Sequence, residues 1–178
     1  MIEKGDTLYV FDPTELVAYE LATGKARWHL AAESVAGLHF DENGTIYINA
    51  CHDNGGVLNS ADHSDVPEAI VMFVQKINAT TGASIWKVEA EGLVRYVSGK
   101  FVYTVACQQG DAEDDTIIAL KTGFERIPHI RIKRLDPSNG RVMWEHYHRH
   151  APLDVRFDRN TINFLCKNEM QVLKFISF

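Results

Sequence analysis

Short stretches of alternating apolar and polar residues run along the whole chain, separated by clusters of Gly, Asn, Asp and Ser. Alternation with a period of two is typical of β-strands that bury one face, and the intervening residues are typical of tight turns. No stretch shows helical periodicity. The pattern therefore predicts an all-β protein made of many short antiparallel strands.

The three tryptophans form an internal repeat. Trp28, Trp86 and Trp144 are spaced by 58 residues, and a glycine precedes each one by four residues. An apolar stretch comes before each glycine, and a second stretch carries the tryptophan. Because glycine adopts the positive φ that tight turns require, each copy is predicted to be a hairpin with its tryptophan on the second strand. An indole repeated once in every unit is expected to anchor neighbouring units.

The three cysteines recur at nearly the same spacing as the tryptophans. Cys51, Cys107 and Cys166 follow the three tryptophans by 23, 21 and 22 residues, so they are expected at equivalent positions near the end of an inner strand. In this interpretation they are small apolar residues rather than redox groups or metal ligands. Each repeat then has four strands, which we call a, b, c and d in chain order. Four short strands per repeat are typical of a β-propeller.

The residues around each tryptophan resemble the tryptophan-docking motif of the pyrroloquinoline-quinone-like (PQQ-like) β-propeller family, Ala-x-Asp-x-x-Thr-Gly-x-x-x-Trp. The matching residues are Ala18, Thr23, Gly24 and Trp28, then Thr81, Gly82 and Trp86, then Asp136, Gly140 and Trp144. Glu20 replaces Asp in the first copy, and the other two copies depart from the pattern at Lys76, Asn78, Arg134 and Asn139. The resemblance implies a propeller of four-stranded antiparallel blades.

The enzymes of this family bind their quinone beside an adjacent cysteine pair and above a stacking tryptophan, with calcium held by Glu, Asn and Asp. This chain has no adjacent cysteine pair, and all three of its tryptophans lie in the repeat motif. The resemblance therefore implies a propeller without PQQ and without a predicted cofactor, although calcium stays open. A degenerate quinoprotein dehydrogenase remains an alternative.

Composition narrows the possible partners. The chain of 178 residues has a net charge of −6, which argues against a general electrostatic interaction with nucleic acid. It contains no apolar run long enough for a transmembrane helix and no signal peptide at its start. Bacterial proteins of the family it resembles are commonly periplasmic or secreted, so the resemblance implies one of these compartments. Unpaired cysteines fit the cytosol equally well. The sequence leaves the compartment open.

Two long b–c connections distinguish this chain from a minimal propeller. They run over about residues 52–68 and 108–128, and the family geometry implies that both emerge on one face. Long loops are often functional. Their weak candidate metal ligands are His52, Asp53, His63, Asp111 and Asp114. Asp and His side chains can hold calcium or zinc, but neither loop has the spacing of a calcium loop.

A histidine cluster follows the third tryptophan. His146, His148 and His150 alternate along one predicted strand, so they share a face and could bind a transition metal. The equivalents of His146 are Leu30 and Val88 in the other copies, which favours packing. We interpret the cluster as part of an outer strand whose polar residues discourage edge-to-edge pairing.

Counting strands gives about three and a half blades in a single repeat domain, residues 1–178. The predicted blades are residues 7–30 (partial, lacking strand a), 35–90, 94–150 and 153–178 (partial, lacking strand d), or fourteen strands. Closed propellers need four to eight blades. Three interpretations are open: the chain is a C-terminal portion of a larger propeller, two copies form one ring, or four partial blades close a small ring.

The function predicted from the sequence is a non-enzymatic binding or interaction scaffold that contacts a ligand or protein through the two long loops. The alternative is a metal-dependent or hydrolytic enzyme that uses the same loop face. The expected partners are another protein, a second copy, or the remaining propeller blades. The sequence does not identify the ligand.

Overall fold

The computed structural model describes residues 1–32, 34–52, 71–108, 129–148, 152–158 and 161–174. All regular structure in these residues is antiparallel β-sheet, and the part described contains no helix that could cross a membrane. Four sheets each keep their strands in chain order.

The strand bounds are as follows. Sheet 1 contains β1 (Ile2–Lys4), β2 (Thr7–Phe11), β3 (Glu15–Glu20) and β4 (Ala26–Ala31). Sheet 2 contains β5 (Val35–Phe40), β6 (Ile46–His52), β7 (Val71–Ile77) and β8 (Ser84–Glu89). Sheet 3 contains β9 (Leu93–Val97), β10 (Val102–Gln108), β11 (His129–Leu135) and β12 (Val142–His148). Sheet 4 contains β13 (Asp154–Phe157), β14 (Thr161–Leu165) and β15 (Met170–Lys174).

The first sheet is complete, which corrects the strand count. The sequence predicted fourteen strands with nothing before Thr7, but β1 pairs with β2 in the register Ile2↔Tyr9 and Lys4↔Thr7. This strand was missed because it is three residues long and carries one apolar side chain, Ile2, which packs on the first core cluster. The positive φ of Gly5, 62°, closes the turn between the two strands.

The turns between strands c and d share one geometry in the first three sheets. Their glycines, Gly24, Gly82 and Gly140, have φ of 67°, 70° and 77°. The amide of each glycine donates a 2.8 Å hydrogen bond to a carbonyl four residues earlier, those of Glu20, Asn78 and Asp136. The backbone conformation therefore repeats even where the side chains differ.

Each docked tryptophan joins its own sheet to the turn of the next sheet. The indole Nε1 of Trp28 donates to the carbonyl oxygen of Ala79 at 2.8 Å, and that of Trp86 donates to Pro137 at 3.0 Å. Ala79 and Pro137 are the first residues after Asn78 and Asp136, so the two contacts are equivalent. The hydrogen bond satisfies the indole N–H while the ring packs against the neighbouring sheet.

The turn glycine is needed for close approach as well as for its φ. A Cβ atom built at Gly82 would lie 2.6 Å from the Trp28 ring, and one at Gly140 would lie 2.9 Å from the Trp86 ring. Real Cβ atoms do not come this close to ring carbons. Glycine thus lets the indole of one sheet lie directly over the turn of the next.

The core lies between the sheets. Three clusters follow one another along the chain, each formed by one face of a sheet and the facing side of its successor. The first contains Trp28 and Ile46, the second contains Tyr47 and Val102, and the third contains Tyr103 and Ile162. Each middle sheet therefore buries both of its faces.

The expected equivalence of the three cysteines is wrong for Cys166. The first b-strand residues paired across the a–b turn are Ile46, Val102 and Ile162. Cys51 and Cys107 are the fifth residues after these positions, within β6 and β10, whereas Cys166 is the fourth and follows the end of β14. Ile46, Val102 and Ile162 follow their tryptophans by 18, 16 and 18 residues, so the similar overall spacing of the cysteines hides the one-residue difference within the strand.

Replacement of Trp86 tests the indole anchor. We expect Trp86→Ala to lower the free energy of unfolding by about 3 to 5 kcal/mol, because the ring leaves a cavity between sheets 2 and 3. Trp86→Phe keeps a ring but loses the hydrogen bond to Pro137, and we expect it to cost less than the alanine variant. Urea denaturation measures both. A cost below about 1 kcal/mol for Trp86→Ala would contradict the anchor.

Two glycines at equivalent turns should respond differently to alanine. Gly82→Ala adds a Cβ against Trp28, so we expect a cost of about 2 to 4 kcal/mol from strain and displaced packing. Gly24→Ala has the same φ strain, but its Cβ meets nothing within 4 Å, so we expect a cost of about 1 kcal/mol. Thermal or urea unfolding compares them, and equal costs would argue against close packing at Gly82.

Candidate functional site

An open groove lies between sheets 2 and 3, beside the points where both long connections leave the fold. The first connection joins His52 to Val71, which pair across β6 and β7, and the second joins Gln108 to His129, which pair across β10 and β11. The groove has a volume of about 710 Å³. We call it the insertion-root groove.

The groove has an apolar floor and a charged rim. The floor includes Met72 near the root of the first insertion, Ala106 near the root of the second, and Leu93. The charged residues that line it are Glu89, Glu91, Arg95 and Lys133. The amide of Ala90 donates to the carbonyl of Met72 at 2.9 Å and fixes the β8–β9 connection against the start of β7.

Glu91 is held in the groove by its neighbour Gly92. The φ of Gly92 is 86°, and a Cβ at this position would overlap the carbonyl group of Val105. Only glycine lets the backbone lie this close to β10. A larger residue at position 92 would push the β8–β9 connection away from β10. The carboxylate of Glu91 is thereby presented at the rim.

Basic residues of β11 surround the Glu91 carboxylate. Its Oε2 lies 2.5 Å from Nη1 of Arg131 and 3.2 Å from Nζ of Lys133, and Nε of Arg131 lies 2.9 Å from Oε1 of Glu145. Arg131 and Lys133 are alternate residues, so both project to the same side of the sheet. The hydrogen bond from Arg131, with that from Lys133, lowers the pKa of Glu91. The ion pairs therefore hold these charged side chains in fixed positions.

A buried asparagine ties the two sheets together beneath the groove. Asn49 of β6 is 3% exposed, and its Oδ1 accepts a 3.0 Å hydrogen bond from the amide of Val94 in β9. Its Nδ2 lies 3.5 Å from Nε2 of His39. Burial lowers the pKa of His39, and the positive charge of Arg95 lowers it further. Asn49 was not predicted as a site residue, although an amide within an apolar b strand was the available signal.

The family comparison agrees with this arrangement of sheets. The family model described as "Outer membrane protein assembly factor BamB" matches residues 2–161. The chain belongs to this family. The resemblance to PQQ-like propeller repeats is therefore confirmed, and so is the all-β propeller fold with about three and a half blades.

One solved structure, that of a BamB protein, shows the same fold at low sequence identity. The crystal structure of BamB from Moraxella catarrhalis matches with a TM-score of 0.54 and 15% identity, over 97% of this chain and 43% of that chain. An acylaminoacyl peptidase in complex with a chloromethyl ketone matches with a TM-score of 0.46 and 11% identity, over 89% of this chain and 27% of that chain. The protein thus spans less than half the length of either structure. No curated protein sequence matches it.

Four of the five candidate metal ligands in the long loops lie in segments that the structure does not describe. Asp53, His63, Asp111 and Asp114 lie outside the described residues, and His52 is described only as the last residue of β6. Within the described ranges, no group of three or more His, Cys, Asp or Glu residues is arranged to hold a metal ion. The loop ligands therefore stay predictions.

The structure places two of the three clustered histidines in a packed stack. The rings of Trp144 and His146 are parallel with centroids 5.7 Å apart, and His148 meets Phe164 edge to face at 4.5 Å. Burial lowers the pKa of His146. His148 is 8% exposed, and its Nε2 lies 3.8 Å from Sγ of Cys166. These contacts join sheets 3 and 4, while His150 lies outside the described residues.

Glu91 should make folding stability depend on pH. Its folded pKa lies below the ordinary value of 4.5, so its contribution is present above that value and is lost as the pH falls through the folded pKa. We expect the urea midpoint to fall between about pH 5 and about pH 3, and to fall less steeply in Glu91→Gln. Part of the dependence will persist because Asp6, Asp136 and Asp154 shift in the same direction.

The matched control is Glu89→Gln, which removes the carboxylate at the end of β8, two residues before Glu91 and in the lining of the same groove. Within the described residues Glu89 has no salt bridge. We expect this variant to keep the wild-type slope of midpoint against pH. An unchanged slope in Glu91→Gln would contradict the stabilising role of its ion pairs.

Proposed function

We propose that the protein is a non-enzymatic interaction scaffold that binds another protein through the insertion-root groove and the two insertions beside it. The observation that carries the proposal is the position of the groove, whose lining includes Met72, one residue after Val71, and Ala106, two residues before Gln108. Two long connections in neighbouring blades would thereby form one continuous contact surface.

The chemistry of the groove suits a polypeptide ligand. An apolar floor that includes Met72 and Leu93, with charges at the rim, resembles the core and rim of protein interfaces. The rim carries both signs, with Glu89 and Glu91 against Arg95 and Lys133. Such a surface can pair with charged side chains of either sign, while the floor accepts an apolar anchor residue.

The family supports a role in protein assembly. Its model is described as an outer membrane protein assembly factor, and the structural match is a BamB protein. The adjacent cysteine pair of the quinone enzymes does not occur in this sequence. Both points favour a scaffold over a quinoprotein dehydrogenase.

Site-specific photocrosslinking in cells tests the proposal. A benzoylphenylalanine at Arg95 would sit in the groove, and one at Arg141 would sit on a c–d turn at the opposite end of sheet 3. Both positions are exposed. We expect a discrete crosslinked protein from position 95 that is absent from position 141, and we expect Glu89→Ala with Met72→Ala to weaken that crosslink. Equal crosslinking from both positions, or none from position 95, would contradict the proposal.

Metal analysis of the purified protein tests the competing enzyme. Stoichiometric calcium or zinc that is lost in Asp53→Ala or Asp111→Ala would replace the scaffold proposal with a metal-dependent activity on the same loop face. Retention of the position 95 crosslink after alanine replacement of His52, Asp53, His63, Asp111 and Asp114 would restrict the contact surface to the groove.

A further inference from the structure

The four charged residues of the insertion-root groove differ in whether the fold gives them a counter-ion. Glu91 contacts both Arg131 and Lys133, so Lys133 is already paired. Within the described residues, neither Arg95 nor Glu89 takes part in a salt bridge or a side-chain hydrogen bond. In the described part of the groove, one cation and one anion are therefore left for a ligand.

Arg95 is the extra residue of a β-bulge in β9. Tyr96 pairs with Tyr103 and Val94 pairs with Thr104, so Arg95 has no partner residue in β10. A bulge changes the direction of a side chain at one point of a strand, and bulges are over-represented next to functional sites. The side chain of Arg95 is exposed and lines the groove.

The neighbouring sheets have no inserted residue at the corresponding place. Strand pairing defines that place, because Val102, Ile46 and Ile162 are the equivalent first residues of their b strands. The next two b positions pair without interruption in the other sheets, as His39↔Tyr47 and Leu38↔Ile48 in sheet 2 and as Arg156↔Asn163 and Val155↔Phe164 in sheet 4. The repeat therefore folds without this residue, and the inserted arginine is particular to the groove.

The segment from Glu89 to Arg95 forms one wall of the groove and is held at three points. The amide of Ala90 donates to a carbonyl of β7 at 2.9 Å, and the amide of Val94 donates to a buried side chain of β6 at 3.0 Å. Between them, Gly92 lies directly against the backbone of β10. Glu89 at the end of β8 and Arg95 in β9 are thus carried on a fixed backbone, with the apolar floor beside them.

We propose that the insertion-root groove binds an extended polypeptide segment in which an apolar residue lies between an acidic and a basic residue. The carboxylate of the segment pairs with Arg95, its basic group pairs with Glu89, and its apolar side chain lies on the floor. A guanidinium binds a carboxylate through two parallel hydrogen bonds, so Arg95 fixes the position of the acidic residue. The proposal rests on the function proposed above and adds the chemistry of the bound segment.

A polyanion fits the same surface poorly. Among the described residues of the groove, Arg95 is the one cation without a counter-ion, and Glu89 adds an unpaired negative charge. The whole chain has a net charge of −6. One carboxylate in a segment that also carries a basic group is the pattern that complements these charges.

Peptide binding measured by NMR on the full chain tests the proposal. The probes are acetyl-Lys-Leu-Glu-amide and acetyl-Glu-Leu-Lys-amide, which present the same side chains in the two backbone directions. We expect one of them to shift the Nε–H signal of Arg95 and the backbone amide signals of residues 93–96 in a saturable way. Replacement of the peptide Glu by Gln should weaken binding about fivefold, as expected for a partly exposed ion pair.

A double-mutant cycle shows whether Arg95 is the group that binds the carboxylate. In Arg95→Gln, the Glu and Gln peptides should bind equally weakly. Arg141→Gln is the matched control, since it removes an exposed arginine on a c–d turn outside the groove, and it should bind as the wild type does.

Three outcomes would overturn the proposal. The first is the absence of saturable binding with both probes. The second is a loss in Arg95→Gln that is the same for the Glu and the Gln peptides, because Arg95 would then act on the fold rather than on the carboxylate. The third is tighter binding of acetyl-Lys-Leu with a free terminal carboxylate, because a chain terminus would then be the occupant.

The photocrosslinking experiment fails or succeeds separately. Benzoylphenylalanine at position 95 removes the guanidinium but leaves the apolar floor, and the crosslink is irreversible, so a partner that binds about fivefold more weakly is still captured. A crosslinked partner without discrimination between the Glu and Gln peptides would overturn the carboxylate site and leave the scaffold in place. Discrimination between the peptides without a crosslinked partner would support the carboxylate site and contradict the scaffold.

Discussion

The contact between an indole and the turn of the next sheet is the interaction on which the architecture depends. A single four-stranded sheet with two apolar faces cannot bury them by itself. Stacking the sheets face to face buries those faces. The hydrogen bonds from Trp28 to Ala79 and from Trp86 to Pro137 fix how each sheet is placed on the next, since the donor and acceptor lie at defined points of the repeat.

The same stacking positions the insertion-root groove. Because Trp86 joins sheets 2 and 3 at one end, the opposite ends of these sheets are held side by side, and the roots of the two insertions meet the same groove. Asn49 adds a hydrogen bond from inside the core to Val94, and Gly92 lets the connection between the sheets lie on β10. The charged rim therefore sits on a rigid base, which is what a binding surface requires to keep its shape.

The fold could be predicted from the sequence because docking requires a glycine and a tryptophan at a fixed spacing, and this spacing recurs in each repeat. The prediction failed at Cys166, where the overall spacing from tryptophan hid a one-residue difference within the strand, and at Ile2, where pairing depended on one apolar residue. The groove left no sequence signal at all. Glu91 and Lys133 come from segments far apart in the chain, and only the stacking of the sheets brings them together.

The two ends of the sheets carry different constraints, and this difference explains where the chain can vary. At the c–d end, an altered turn would remove an acceptor or obstruct an indole. At the b–c end, the first sheet closes with a turn in which Oδ1 of Asp12 accepts hydrogen bonds from the amides of Thr14 at 2.7 Å and Glu15 at 2.9 Å. Since so short a connection suffices for the fold, the long connections of sheets 2 and 3 add chain that closure of a sheet does not require. Extra chain at the permissive end of a rigid scaffold is the arrangement in which loops can evolve to bind a partner without weakening the stack.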